Sequence, residues 1–186
     1  MPNPPDERVF IGAGARDGPR EANLVEAVRL IAGAGLRIRQ VSSMFETQPV
    51  GLAGDRTLLN TAFEIESAQP PEELLEILLR TEARLGRRRL PPAVSRAEGP
   101  DPGPRPIDLD LLFCGRTVRR SPELTLPHPR LHLRRFVLAP LAEIAPEFVH
   151  PVLNVTIAAL LAGCADPAWV RPHLPASEWW PAQHAR

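Results

Sequence analysis

Two stretches of helical period, each enclosed by short strand-like runs, constrain this chain most. Val9-Phe10-Ile11 is an apolar run that reads as a buried strand turning at Gly12-Ala13-Gly14. From Glu21, the residues Leu24, Val28, Ile31 and Ala32 recur at helical spacing until Gly33 to Gly35 ends the pattern. Leu36 to Val41 alternates apolar and polar and continues through Met44 and Phe45. Leu59 to Glu66 alternates again, with Thr61, Phe63 and Ile65 on one face and Glu64 and Glu66 on the other. Pro70-Pro71-Glu72-Glu73 opens a second helix, its acids at the positive end of the dipole, and Leu74, Leu78, Thr81 and Leu85 carry its buried stripe. Ile107 to Phe113 is a further strand. The order β-α-β-β-α-β predicts an α+β fold, a ferredoxin-like antiparallel sheet with helices packed on it.

Downstream, Phe136, Leu141, Ile144 and Phe148 predict a short helix interrupted by Pro140, and Asn154 to Leu161 one more. The expected organisation is a single domain over 8–163, followed by a proline- and tryptophan-rich tail over 164–186 that lies on the surface. A chain of 186 residues buries about 70% of its unfolded surface, so no disulfide or metal staple is required. Cys114 and Cys164 form no ligand motif and fit a reducing compartment. No secretory leader and no apolar run of membrane length is visible, so the expected location is cytoplasmic, with no membrane partner.

Charge removes several chemistries. The 22 basic residues balance 22 acidic ones, which gives no global attraction to nucleic acid. All the basic residues are arginine. Without lysine there is no Walker A loop, no kinase β3 lysine and no Schiff base. Glycines at 12, 14 and 18 do not have dinucleotide-binding spacing, and no alternating β-α series follows.

The strongest chemical signal is Gly103-Pro104-Arg105-Pro106-Ile107-Asp108-Leu109-Asp110. On a strand, Asp108 and Asp110 share a face while Ile107, Leu109 and Leu111 point to the core. Adjacent carboxylates repel unless a cation lies between them, and hard oxygen ligands suit Mg²⁺ shared with substrate phosphates. Just before them, Arg84, Arg87, Arg88, Arg89, Arg96 and Arg105 face only two acids, Glu98 and Asp101, in a proline-rich stretch. Arginine forks bind phosphate oxygens bidentately. The pattern is Mg²⁺ with a polyphosphate, handled without a P-loop.

Taken with Thr47-Gln48-Pro49-Val50-Gly51, Leu59-Asn60, Leu126-Pro127-His128-Pro129-Arg130 and Arg134-Arg135-Phe136-Val137-Leu138, this pattern resembles the 6-hydroxymethyl-7,8-dihydropterin pyrophosphokinases of folate biosynthesis, from about Val9 to Pro151. The resemblance implies transfer of pyrophosphate from ATP, the co-substrate, to the hydroxymethyl group of the pterin, with release of AMP. It implies that Asp108 and Asp110 hold two Mg²⁺ ions. It also implies that Arg87 and Arg105 neutralise the transferring group, and that Glu82, Arg89, Thr125, His128 and Arg134 line the ATP site with them. The pterin would lie near Thr47, Pro49, Val50 and Gly51, with Asn60 on its edge and Phe136 on its ring. Leu58 stands where the family places a second aromatic wall. Other folate-pathway enzymes are the partners this resemblance allows.

The departures are concentrated in two places. Gly12-Ala13-Gly14 replaces Gly-Ser-Asn. Asp101-Pro102 replaces a basic and a polar or aromatic residue, and Pro106 replaces threonine. These changes, with Leu58, define a second reading: a relative that keeps the fold and binds MgATP without the usual turnover or acceptor.

Overall fold

The computed structural model describes residues 8–48, 57–87 and 105–180. The elements run β1 (Arg8–Ala15), α1 (Arg20–Gly33), β2 (Arg37–Val41), β3 (Met44–Thr47), β4 (Leu58–Glu66), α2 (Pro71–Arg84), β5 (Asp108–Cys114), β6 (Arg119–Arg120), β7 (Thr125–Leu126), α3 (Arg135–Ile144), α4 (Ile157–Ala162), β8 (Val170–Leu174) and α5 (Ala176–Trp179). The main sheet has the order β5-β1-β4-β3-β8, with β2 also paired to β4. Its described pairings are antiparallel. The expected β-α-β-β-α-β core is present, with the second strand split into β2 and β3 around Ser42 and Ser43.

Both faces of the sheet are covered. Val9, Ile11, Ala13 and Ala15 of β1 point into a core closed by Leu24, Ala27, Val28 and Ile31 of α1 and Leu74 and Leu78 of α2. Phe10 faces the other way, into a second core with Leu112, Val137, Leu138, Leu141 and Ile157. Central β4 is therefore buried along its whole interior. Even Glu64 is buried, its carboxylate taking hydrogen bonds from Arg8 Nε at 2.7 Å, Arg8 Nη2 at 3.0 Å and Gln40 Nε2 at 2.7 Å.

Three expectations are corrected. β1 does not turn at Gly12 but continues to Ala15, because β4 and β5 pair with its glycines on either side. α3 runs through Pro140 without interruption. A proline forgoes one helical hydrogen bond, and here the residue is buried among the apolar contacts of α3. The third correction concerns residues 165–180, which do not lie as a tail on the surface. β8 pairs with β3, and Trp179 and Trp180 enter the α1/α2 core, with Trp179 Nε1 donating to the Ser42 carbonyl at 3.1 Å. Both cysteines are free and buried.

Candidate active site

On the α3 side of the sheet, beside the start of α3 at Phe136 and Val137, lies a cavity of about 310 Å³. Strand alternation builds its floor. Gly12 and Gly14 stand beside Asp110 and Asp108 in the β1–β5 register, and Gly14 stands beside Asn60 in the β1–β4 register. A Cβ on Gly14 would lie 2.8 Å from Asn60 Oδ1, closer than real Cβ contacts come. This glycine therefore lets the Asn60 side chain lie across the floor. Asn60 Nδ2 donates to Thr47 Oγ1 at 2.7 Å, and both residues are buried.

The two carboxylates are in unlike settings. Asp108 is held by Arg87 Nη2 at 3.1 Å and faces Arg105 Nη1 at 3.7 Å. The Arg87 side chain is only 8% exposed, and its Nε and Nη1 are buried without a hydrogen-bond partner among the described residues. Asp110 has no hydrogen bond or ion pair among the described residues. It faces His128 and Arg134 electrostatically across the cavity.

A short segment after β7 supplies the opposite wall. The Leu126–Pro127 bond is cis, and the His128 N–H donates to the Leu112 carbonyl at 3.0 Å, which fastens this segment to β5. The Arg130 N–H points at His128 Nδ1 at 3.3 Å, so in the neutral ring the proton sits on Nε2. Burial pushes the His128 pKa below its ordinary value. Asp110 opposes the shift, and Arg134 and Arg130 add to it. Burial also lowers the pKa of Arg134, though a guanidinium stays charged at neutral pH. The Arg134 guanidinium lies 5.5 Å from the centre of the Phe136 ring, so cation and aromatic plate form one continuous surface.

The cavity lining thus gathers Thr47, Leu58, Asn60, Arg105, Asp108, Asp110, His128, Arg134 and Phe136, which lie far apart in sequence. Three expected residues among those described do not line it. Glu82 is buried in α2, its carboxylate accepting the Leu109 N–H of β5 at 2.7 Å. Thr125 lies in the β6–β7 hairpin. Arg87 reaches the site through Asp108. Pro49, Val50, Gly51 and Arg89 lie outside the described residues, as do Asp101 and Pro102. Sequence reasoning missed Arg16, Gln48, Leu112 and Arg130, which also line the cavity. Leu112 was findable, because it follows Asp108 and Asp110 at period two.

A pair of same-face carboxylates with further oxygen supplied by phosphate fits Mg²⁺, which rarely takes an all-protein cage. Among the described residues no group of three or more His, Cys, Asp or Glu is placed to hold a metal ion.

Residues 10–146 match the model of the 7,8-dihydro-6-hydroxymethylpterin-pyrophosphokinase (HPPK) family. The chain belongs to this family. The 2-amino-4-hydroxy-6-hydroxymethyldihydropteridine pyrophosphokinase of Bacillus subtilis is 41% identical over 139 residues, covering 74% of this chain and 78% of the relative. The mitochondrial folate synthesis bifunctional protein of Pisum sativum is 39% identical over 139 residues, covering 75% of this chain but 25% of the relative. The chain thus spans about a quarter of the length of the longer relatives it matches. A crystal structure of Plasmodium falciparum HPPK-DHPS wild type with pteroate superimposes with a TM-score of 0.64 at 13% identity, covering 84% of this chain and 44% of that one. That likeness supports the fold. No helix among the described residues is long and apolar enough to cross a membrane.

Proposed function

We propose that this chain transfers pyrophosphate from ATP to the hydroxymethyl group of 6-hydroxymethyl-7,8-dihydropterin, in the cytoplasm, as a step of folate biosynthesis. The observation that carries this reading is the carboxylate pair Asp108 and Asp110, set on one rigid strand between an arginine-lined wall and the Asn60–Phe136 pocket. Asp108 and Asp110 would hold the two Mg²⁺ ions, which supply charge neutralisation on the phosphate oxygens.

The chain's own residues do the rest. Arg105, Arg134 and the neutral His128 donate to phosphate oxygens from fixed positions, which favours the charge that develops in flight. Arg87 holds Asp108 in place and has two further buried N–H groups beside it; Arg89 joins them from outside the described residues. Phe136 offers its ring to the pterin. Leu58 forms the other wall as an aliphatic surface, which costs about 0.5–1.5 kcal/mol relative to an aromatic pair. Asn60, fixed by Thr47, reads the pterin edge, with Pro49, Val50 and Gly51 completing that side. Glu82 supports the site from behind through the Leu109 N–H. The pterin hydroxymethyl oxygen attacks the β-phosphorus and its proton passes to solvent, the bond from that phosphorus to the bridging α-phosphate oxygen breaks, and AMP leaves. Other folate-pathway enzymes are the proposed partners, since relatives carry such functions on one chain.

The test is AMP release from MgATP with and without the pterin. Pterin-dependent AMP supports the reading. A folded protein that binds MgATP and releases no AMP would refute it, and would favour a relative with a changed acceptor or no turnover.

A further inference from the structure

The turn after β1 is fastened to the chain at Arg105 by a dense set of hydrogen bonds. Asp17 Oδ2 accepts the Arg105 N–H at 2.7 Å and Arg16 Nε–H at 3.1 Å. The N–H groups of Arg16 and Asp17 both donate to the Arg105 carbonyl at 3.3 Å. Asn23, on the first turns of α1, donates from Nδ2 to the Asp17 carbonyl at 3.2 Å and to the Pro106 carbonyl at 3.0 Å. Gly18 has φ +73°, which allows the chain to double back so that Asn23 reaches both carbonyls. Arg105 is therefore gripped by its backbone on both sides. Among the described residues its side chain is held by the 3.7 Å approach to Asp108, and its Nε is buried without a partner there.

A guanidinium whose backbone is clamped and whose fork is lightly held is arranged to meet an incoming anion. The Asp17 carboxylate, paired with Arg16 and taking the Arg105 N–H, is a satisfied anchor that fixes the backbone at the foot of the Arg105 side chain. We propose that Asp17 is the positioning residue for Arg105: it sets the height of the guanidinium above Asp108, with Asn23 as the brace that keeps the clasp shut. The inference rests on the reading that Arg105 contacts the transferring phosphates.

The experiment is a double-mutant cycle on kcat and on KM for ATP, with Asp17→Ala, Arg105→Ala and the double variant. Residual turnover is read with radiolabelled ATP, and folding is checked by thermal unfolding. Misplacing a catalytic group by an ångström costs about 10²-fold. Asp17→Ala is therefore expected to lower kcat by about that factor with a smaller change in KM, and to have no further effect once Arg105 is alanine. Asp17→Asn keeps an oxygen for the Arg105 N–H and should recover part of the loss. Asn23→Ala, which leaves both Asp17 and Arg105 in place, should shift kcat in the same direction, and it carries the test if Asp17→Ala does not fold. A severe Arg105→Ala with a harmless Asp17→Ala overturns the inference, as does an Asp17→Ala loss that multiplies in full with that of Arg105→Ala. If Arg105→Ala keeps full activity while Asp110→Ala abolishes it, the role of Arg105 falls and this inference with it, but the pyrophosphokinase reading stands.

Discussion

Adding one methyl group to either floor glycine separates two effects that the structure sets against each other. Alanine at a strand position compatible with its backbone reduces the freedom of the unfolded chain and stabilises by about 0.4–1 kcal/mol. At Gly12 the new Cβ would meet Leu112 Cδ1 and Cδ2 at 3.4 Å, an ordinary contact, so Gly12→Ala should be neutral or gain that amount. At Gly14 the Cβ would lie 2.8 Å from Asn60 Oδ1, and Asn60 cannot retreat without stretching its 2.7 Å bond to the buried Thr47 hydroxyl. Overpacking costs about 1–3 kcal/mol and the strained hydrogen bond about 0.5–1.5 kcal/mol. Since these overlap, Gly14→Ala should lose a net of about 1–2 kcal/mol. Urea unfolding at constant m-value measures both variants. Because Asn60 moves, KM for the pterin should also rise in Gly14→Ala while KM for ATP stays near that of the parent. Equal stabilities for the two variants, or an unchanged pterin KM in Gly14→Ala, would refute the idea that Gly14 exists to seat Asn60.

Two further predictions follow from the electrostatics. Alanine at either Asp108 or Asp110 should abolish turnover, but their stabilities should part. Asp108→Ala strands Arg87, 8% exposed, and with Asp108 itself 37% exposed the penalty is screened to about 1–2 kcal/mol; Asp110→Ala should stay within about 0.5 kcal/mol. Matched urea midpoints would contradict this difference. His128 and His150 are both held below the ordinary histidine value, chiefly by burial. Folding thus favours their neutral forms, so the unfolded chain binds more protons below pH about 6.5, and stability should fall as pH drops from there toward the folded values. Urea midpoints at pH 7.5 and 5.5 check the sign. His150→Asn, whose oxygen can still accept from the Val152 and Leu153 N–H groups, should remove part of the decline. A stability that rises on acidification would sink the argument.

The β-α-β-β-α-β core was legible because its signals are local. α2 illustrates this: proline at its first turn, acids beside it, a stripe through Leu74 and Leu78, and Gly86 at φ +87° just beyond its end. The failures share an origin in long-range partners. Gly12 and Gly14 read as a turn because nothing in β1 itself announces that β4 and β5 will pair with both of its edges. Pro140 read as an interruption because the burial that offsets its missing hydrogen bond comes from other elements. The C-terminal tryptophans sit among prolines, and their destination depends on Ser42 and β3, over 100 positions earlier.

The same distinction runs through the site. Asp108 and Asp110 were legible because a strand's period of two puts them on one face whatever surrounds them. Residues that act from behind were not, since a sequence motif does not separate a side chain in the cavity from one that holds it in place. Glu82 belongs to the second kind. It takes the Leu109 N–H, which lies between the two aspartates on a strand whose strand neighbour among the described residues is β1. A residue matched to the substrate site by position therefore turns out to fix the strand that carries the carboxylates. Asp17 and Asn23 do the corresponding work for Arg105 from the opposite end of the core. The two clasps meet at residues 105–110, so Arg105, Asp108 and Asp110 are mounted on one short segment pinned from α2 and from the β1–α1 turn. In-line transfer, the reaction proposed for this site, needs carboxylates and arginine at fixed separation, and on that reading this double fastening would provide it in a chain without lysine or a P-loop.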